Sequence, residues 1–145
     1  MKLVIQRVQK ASVTVEKEVV SSIEKGFLVL LGITGADTQN EADFLAEKLS
    51  KLRIMGDNEG KMNLTVKDAR GSILIVSQFT LYGDTKGGNR PSFIKAARPE
   101  VAKPLYDYFV EKVKSFGIAV GTGRFGAEMK IDAVLDGPAT ILIEN

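Results

Sequence analysis

The chain contains neither cysteine nor histidine among its 145 residues. The lack of cysteine excludes disulfides, thiolate nucleophiles and Cys-based metal sites. The lack of histidine excludes the Ser-His-Asp triad, histidine general bases and nearly all zinc sites. If the protein is an enzyme, carboxylates, lysine, water or the substrate must therefore carry its proton transfers. We predict neither a metal nor another cofactor.

Long apolar stretches are also missing. The longest apolar run, residues 26–33, is far shorter than the roughly 20 residues that a membrane span needs. The first residues, Met1–Arg7, alternate in polarity and soon meet a charge, so they lack the apolar block of a signal peptide. We predict a cytoplasmic protein with no membrane partner.

The charge balance is modest. The net charge is +2 and hydrophobic residues make up 44% of the chain, which suits one globular domain over residues 1–145. A protein that coats nucleic acid would be more basic. A local basic patch is compatible with this total, because partners respond to local charge.

Apolar periodicity predicts strands at residues 2–8, 12–16, 26–33 and 73–81. A capping box at Thr38–Glu41 predicts the start of a helix. The apolar stripe of that helix consists of Ala42, Leu45, Ala46, Leu49 and Leu52.

A polar, glycine-rich loop is predicted from Gly83 to Pro91, and a second helix from Pro99 to Phe116. Pro104 lies inside this helix, which predicts a kink or a late start, and Gly117 can end it. The remaining residues are again strand-like. The pattern predicts a mixed α/β fold: a single domain with largely antiparallel mixed sheets and two helices packed on them.

The segment Gly121–Gly126 matches the dinucleotide pattern GxGxxG by letter. A dinucleotide site requires a helix N-terminus directly after the glycines, which holds the pyrophosphate. Here the following residues alternate like a strand. The chain also ends before the required acidic residue could follow at the end of a second strand. The glycines are therefore interpreted as a tight turn, and no nucleotide cofactor is predicted.

The segment Ser77-Gln78-Phe79-Thr80-Leu81 closes the strongest predicted strand. In one interpretation, its polar residues simply bond neighbouring loops at a strand end. In the other, the backbone amides of Phe79 and Thr80 face a substrate carbonyl as an oxyanion site. A lone Ser or Thr without a base is a poor nucleophile, so this second interpretation requires a reactive substrate or one that brings its own base.

Five further side chains have two interpretations each. Lys86 and Arg90 lie in the polar loop and either contact phosphates or are simply solvated. Arg7 is by default a structural ion pair. Phe125 and Met129 belong to the core unless their turn faces a cleft.

The pair Gly137-Pro138 interrupts two strand-like segments near the end of the chain. Proline cannot donate to a sheet and glycine weakens a strand, so a hairpin turn is the interpretation that the residues favour. The alternative is a cis peptide bond that aims a carbonyl in an unusual direction.

Together these segments resemble the D-aminoacyl-tRNA deacylases, also called D-tyrosyl-tRNA deacylases. The resemblance covers the whole chain. It rests on Ile5–Val8, Leu52–Ile54, Gly60–Asn63, Ser77–Tyr82, Arg90–Phe93, Thr122–Ala127 and Gly137-Pro138. The chain departs from the family's usual Asn-x-Gly-Pro-Val-Thr, because Leu135 and Ala139 replace the asparagine and the valine.

The resemblance implies a homodimer that hydrolyses the ester between a D-amino acid and the 3′ end of tRNA, and glycine wrongly attached to alanine tRNA. It implies that the substrate's own 2′-hydroxyl assists hydrolysis. The implied catalytic residues are Phe79 and Thr80, and the implied substrate-binding residues are Arg7, Ser77, Gln78, Phe125 and Met129.

The resemblance also implies that Gly137-Pro138 is cis and enters the partner subunit's active site. There it would reject L-aminoacyl esters by steric clash. Two other functions are weighed against this one: a catalytically silent tRNA- or RNA-binding dimer, and a structural dimer without a small ligand.

Overall fold

The computed structural model describes residues 1–145. It contains eight strands, two α-helices and one short 3₁₀ helix. The strands are β1 (Lys2–Val15), β2 (Glu18–Ile23), β3 (Gly26–Gly32), β4 (Met55–Gly56), β5 (Met62–Leu64), β6 (Ser72–Ser77), β7 (Ala119–Thr122) and β8 (Lys130–Glu144). The helices are α1 (Gln39–Ser50), α2 (Pro99–Ser115) and the 3₁₀ helix Phe79–Tyr82.

Six of the strands form one mixed sheet. The order is β2-β1-β3-β6-β7, and β8 pairs with β1 as well. β1 is antiparallel to β2, β3 and β8, whereas β3, β6 and β7 run parallel. The remaining pair, β4 and β5, is a small antiparallel hairpin. The predicted fold class, mixed and largely antiparallel with two helices, is confirmed.

The two helices cover one face of this sheet. Thr38 and Glu41 form the predicted capping box at the start of α1, whose buried side is Ala42, Leu45, Ala46 and Leu49. The fifth residue of the predicted stripe, Leu52, lies beyond the end of the helix and is half-buried. Pro104 lies inside α2, which begins at Pro99, so the late start considered for this helix is wrong. Gly117 has a φ of +76° directly after α2, a conformation that glycine adopts without a steric penalty, so it ends the helix as predicted.

The core has two parts. The larger part lies between the sheet and the helices, and Phe27, Phe109 and Leu45 are among its fully buried members. The smaller part lies on the other face of the sheet and includes Val13 of β1 and Leu74 of β6. Neither helix is long and apolar enough to cross a bilayer.

Two predicted strand boundaries are wrong. Residues 2–8 and 12–16 belong to the single strand β1, which continues because both halves find antiparallel partners. The strand predicted for residues 73–81 ends at Ser77. Gln78 turns the chain there, and its carbonyl accepts the N–H of Leu81, which begins the 3₁₀ helix.

Candidate active site

The candidate site lies where the parallel strands β3 and β6 end. Gln78 N–H donates to the carbonyl of Leu31 at 2.8 Å, which prolongs the pairing by one residue beyond β6. Next to this point is a cleft of about 390 Å³. Carboxyl ends of parallel strands are a common place for ligands, because the loops diverge from the sheet there.

The cleft is mainly apolar, with a few polar groups at one side. Four parts of the chain line it: the end of β3, the segment after β6, the start of α2 with the loop before it, and the turn after β7. The lining residues are Leu31, Ile33, Ser77, Gln78, Phe79, Phe93, Ala96, Ala97, Arg98, Pro99, Ala102, Phe125 and Gly126. Apolar walls with few convergent polar groups suit a planar organic ligand such as a nucleobase.

The segment after β6 supplies both side-chain and backbone donors. The side-chain amide of Gln78 donates to the hydroxyl of Thr80. Phe79 and Thr80 are the first two residues of the 3₁₀ helix, and the first N–H groups of a helix have no partner within it. Two backbone donors at a helix start are the arrangement that an oxyanion site needs.

Aromatic rings form two walls of the cleft. Phe79 and Phe93 meet edge to face with ring centres 5.1 Å apart, and 56% of Phe79 remains exposed. The ring of Phe125, which also lines the cleft, lies 5.7 Å from that of Tyr106. The buried hydroxyl of Tyr106 donates to the carbonyl of Ile75 at 2.8 Å, which fixes this wall to β6.

Three titratable groups near the cleft have shifted pKa values. Burial raises the pKa of Tyr82 to about 12, and burial also raises the pKa of Tyr106. The pKa of Asp84 is lowered by the Lys86 backbone N–H and then by Lys95. With no histidine in the chain, no side chain here is suited to act as a general base near pH 7.

The structure brings together four of the predicted site residues. Ser77, Gln78, Phe79 and Phe125 line the cleft, and Thr80 is joined to them through Gln78.

Three other candidates lie away from the cleft lining. Met129 packs against the smaller core cluster, which is its core interpretation. Lys86 and Arg90 are exposed in the loop after the 3₁₀ helix.

Arg7, Gly137 and Pro138 form a second cluster outside the cleft. In the β1–β8 pairing, Gln6 is opposite Thr140 and Val8 is opposite Leu135. The four residues 136–139 therefore bulge outward opposite Arg7 alone. The hairpin turn favoured by the sequence is wrong, since β8 continues on both sides of the bulge. Bulges of this kind redirect a strand beside a functional surface.

Contacts of Arg7 fix this bulge. Its Nε lies 3.0 Å from a carboxylate oxygen of Asp136, and its NH1 donates to the carbonyl of Ile54 at 2.7 Å. A Cβ at Gly137 would lie 2.8 Å from NH2 of Arg7, and Gly137 has a φ of +116°, so only glycine fits there. The Gly137-Pro138 bond is cis. Within one chain, Arg7 is therefore an ion-pairing residue that holds the bulge.

Sequence reasoning missed the far wall of the cleft. Leu31 and Ile33 look like ordinary strand residues, and Ala96–Ala102 look like a loop and a helix start. Arg98, the one charged side chain of the lining, gave no signal except its place before the predicted helix. Nothing in the sequence indicates that this helix start meets the end of β3.

Comparisons with known proteins identify the family of the chain. The sequence model of the family described as D-Tyr-tRNA(Tyr) deacylase matches residues 4–144. The chain belongs to this family. It is 51% identical to a D-aminoacyl-tRNA deacylase of Exiguobacterium sp., covering 100% of this chain and 99% of the relative. It is 52% identical to a D-aminoacyl-tRNA deacylase of Brevibacillus brevis, covering 100% of both. The predicted enzyme class, a deacylase among the hydrolases, is thereby confirmed.

Two solved structures share this fold. A structure described as the c-Myc DNA unwinding element binding protein has a TM-score of 0.93 and 41% identity, covering 100% of this chain and 99% of that one. A structure described as a probable eukaryotic D-amino acid tRNA deacylase has a TM-score of 0.86, covering 98% and 97%. At 18% identity the second likeness concerns the fold alone.

Proposed function

We propose that this deacylase cleaves the ester bond between a D-amino acid, or glycine on alanine tRNA, and the 3′-terminal adenosine of tRNA. The observation that carries the proposal is the cleft at the ends of β3 and β6. Its walls are apolar and no side-chain base lines it, and the 3₁₀ helix beside it begins with the N–H groups of Phe79 and Thr80. An activated ester fits such a site, because esters need less help from a base than amides do.

In this mechanism the terminal adenosine occupies the apolar cleft and the ester carbonyl faces the amides of Phe79 and Thr80. Water attacks the carbonyl carbon, and the substrate's 2′-hydroxyl assists by accepting and passing on a proton. The amides stabilise the negative charge on the tetrahedral intermediate. The bond from the carbonyl carbon to the 3′ oxygen then breaks, and that oxygen takes up the proton. Ser77 and Gln78 position the substrate.

Chiral selection is assigned to the bulge of a second copy of the chain. Gly137 and Pro138 of the partner subunit would stand over the cleft and clash with an L side chain, while a D residue or glycine points away. Rejection by clash does not require a pocket fitted to one side chain. The outward bulge at residues 136–139, held by Arg7, supports this role.

The homodimer is supported by exposed apolar side chains on β8. Val134, Leu135 and Leu142 are 41%, 45% and 60% exposed. Exposed apolar side chains gathered on one strand often mark an interface. We expect a dimer by sedimentation velocity and a shift towards monomer in Leu142→Glu. A wild-type monomer at micromolar concentration would contradict this assembly.

The decisive assay follows ester loss from D-tyrosyl-tRNA, L-tyrosyl-tRNA and glycyl-tRNA charged on alanine tRNA. We expect loss of the D-tyrosyl and glycyl esters and retention of the L-tyrosyl ester. Equal loss of D and L esters would refute the chiral screen.

Lys86 and Arg90 are assigned to tRNA phosphates, so removing either charge should weaken tRNA binding and its salt dependence.

A second candidate function is nucleic-acid binding without cleavage. The observation that favours it is the likeness to the c-Myc DNA unwinding element binding protein. Binding of tRNA with no loss of any ester would support this candidate against the hydrolase.

A further inference from the structure

Arg98 is the single charged side chain among the residues that line the cleft. It is exposed and lies at the residue before the first turn of α2. The neighbouring cations are neutralised: Lys95 pairs with Asp84 at 3.1 Å and Lys103 pairs with Asp107. Arg98 pairs with no carboxylate anywhere in the chain.

The lining of the cleft offers Arg98 no counter-charge. No Asp or Glu lines the cleft. The N-terminus of α2 carries the positive end of the helix dipole next to Arg98. Glu100, in the first turn of α2, is the nearest acidic residue along the chain, and it is not among the lining residues. The rim of an otherwise uncharged cleft therefore presents a guanidinium without a partner.

The proposed substrate carries few negatively charged groups near the cleft. Its amino acid carries an ammonium group and a neutral ester, and its adenine and ribose are uncharged. The nearest negative charge is the phosphodiester that joins the terminal adenosine to the preceding nucleotide. Guanidinium groups bind phosphate oxygens through two parallel hydrogen bonds, which fix orientation as well as charge.

We propose that Arg98 binds the phosphodiester on the 5′ side of the terminal adenosine and thereby sets how far the 3′ end enters the cleft. This inference rests on the proposed function. It makes Arg98 a binding residue that distinguishes a polynucleotide ester from a nucleoside ester, although both carry the same reacting bond.

The test compares two substrates that differ only in that phosphate. These are D-tyrosyl-tRNA and the 3′ D-tyrosyl ester of adenosine, assayed with the wild type, Arg98→Gln and Arg98→Lys. The matched control is Arg70→Gln. Arg70 is also exposed and precedes β6 at the end opposite to the cleft, roughly 20 Å away along the strand.

We expect Arg98→Gln to lower kcat/KM for D-tyrosyl-tRNA roughly tenfold to a hundredfold, the usual effect of losing a hydrogen bond to a charged group. The loss should lie mainly in KM. The nucleoside ester should react as with the wild type, Arg98→Lys should recover part of the loss, and Arg70→Gln should change neither substrate. The salt dependence for tRNA should become shallower by about 0.7 in log-log slope.

An equal loss on both substrates would overturn the inference, because Arg98 would then act on the adenosine, the ester or the fold of the cleft. No loss on tRNA would overturn it too. If the wild type cleaves neither ester, the proposed function fails. The role of Arg98 in phosphate binding is then tested by measuring ligand affinity instead of turnover. The trinucleotide CCA should bind more weakly to Arg98→Gln, while adenosine should not.

Discussion

The hydrogen bond between Gln78 and Thr80 predicts the result of removing the Thr80 hydroxyl. The side-chain amide of Gln78 donates to this hydroxyl, and Thr80 is exposed. Water can therefore replace the lost partner in Thr80→Ala, and the free energy of unfolding should change by less than about 0.5 kcal/mol. Any large effect must then appear in turnover.

The size of that effect separates positioning from covalent catalysis. One or two lost hydrogen bonds of about 0.5–1.5 kcal/mol each correspond to a loss on the order of tenfold to a hundredfold in turnover. Deleting a nucleophile costs several powers of ten. We expect the smaller loss in Thr80→Ala, and near wild-type turnover in Thr80→Ser, which keeps the hydroxyl.

A double-mutant cycle with Gln78→Ala tests whether the two side chains act together. If Gln78 works through Thr80, the double variant should be hardly slower than the slower single variant, with a coupling energy of about 0.5 kcal/mol or more. Single-turnover decay of D-tyrosyl-tRNA is the measurement. A trapped acyl-enzyme on Thr80, or strictly additive losses, would refute this reasoning.

Three further predictions concern stability and cofactors. Gly26→Ala should destabilise the fold by more than about 4 kcal/mol in denaturant titrations, since its Cβ would lie 1.8 Å from the carbonyl oxygen of Ser72; Gly35→Ala, which faces open space, is the control and should be well tolerated. Hydrogen bonds from Lys112 and then Tyr108 lower the pKa of Asp43 below 3.8. This carboxylate thus stabilises the fold above that pH and the contribution is lost as pH falls through the lowered pKa, so Asp43→Asn should flatten the acid limb of the stability curve; an unchanged limb would contradict the ion pair. Chelators should leave turnover unchanged, because the chain has no histidine or cysteine and no cluster of carboxylates placed to hold a metal ion; activity that is lost and then restored by a divalent ion would show this to be wrong.

The sequence predicted most local structure because local rules decided it. The capping box at Thr38, the helix end at Gly117 and the strand-like periodicity all depend on neighbours within one turn or one strand. The end of β6 at Ser77 escaped prediction, since Phe79 and Leu81 continue the apolar pattern. What stops the strand is the turn at Gln78, whose carbonyl accepts the N–H of Leu81 and so begins the 3₁₀ helix.

The sequence predicted one part of the site and missed the other. Ser77–Phe79 and Phe125 were found as short motifs, because each lies at a strand end or turn that the sequence marks. Arg98 and the Ala96–Ala102 wall were missed, since they reach the cleft only through the packing of α2 against the sheet. The Gly137-Pro138 bulge was misread as a hairpin because a break in periodicity shows where a strand is disturbed, but not whether it resumes against the same partner. That distinction depends on the long pairing of β8 with β1.

The geometry also explains how a chain without histidine can hold a hydrolytic site. In the proposed mechanism, the groups nearest to the reacting ester are main-chain amides of Phe79 and Thr80, and the screening group is the main chain of Gly137 and Pro138. Main-chain positions depend on pairing and packing more than on the identity of one side chain. Leu135 and Ala139 flank the bulge, yet the contacts that hold it come from Arg7 to Asp136 and to Ile54. Replacements at residues 135 and 139 therefore leave those contacts in place, whereas replacing Arg7 would remove both at once.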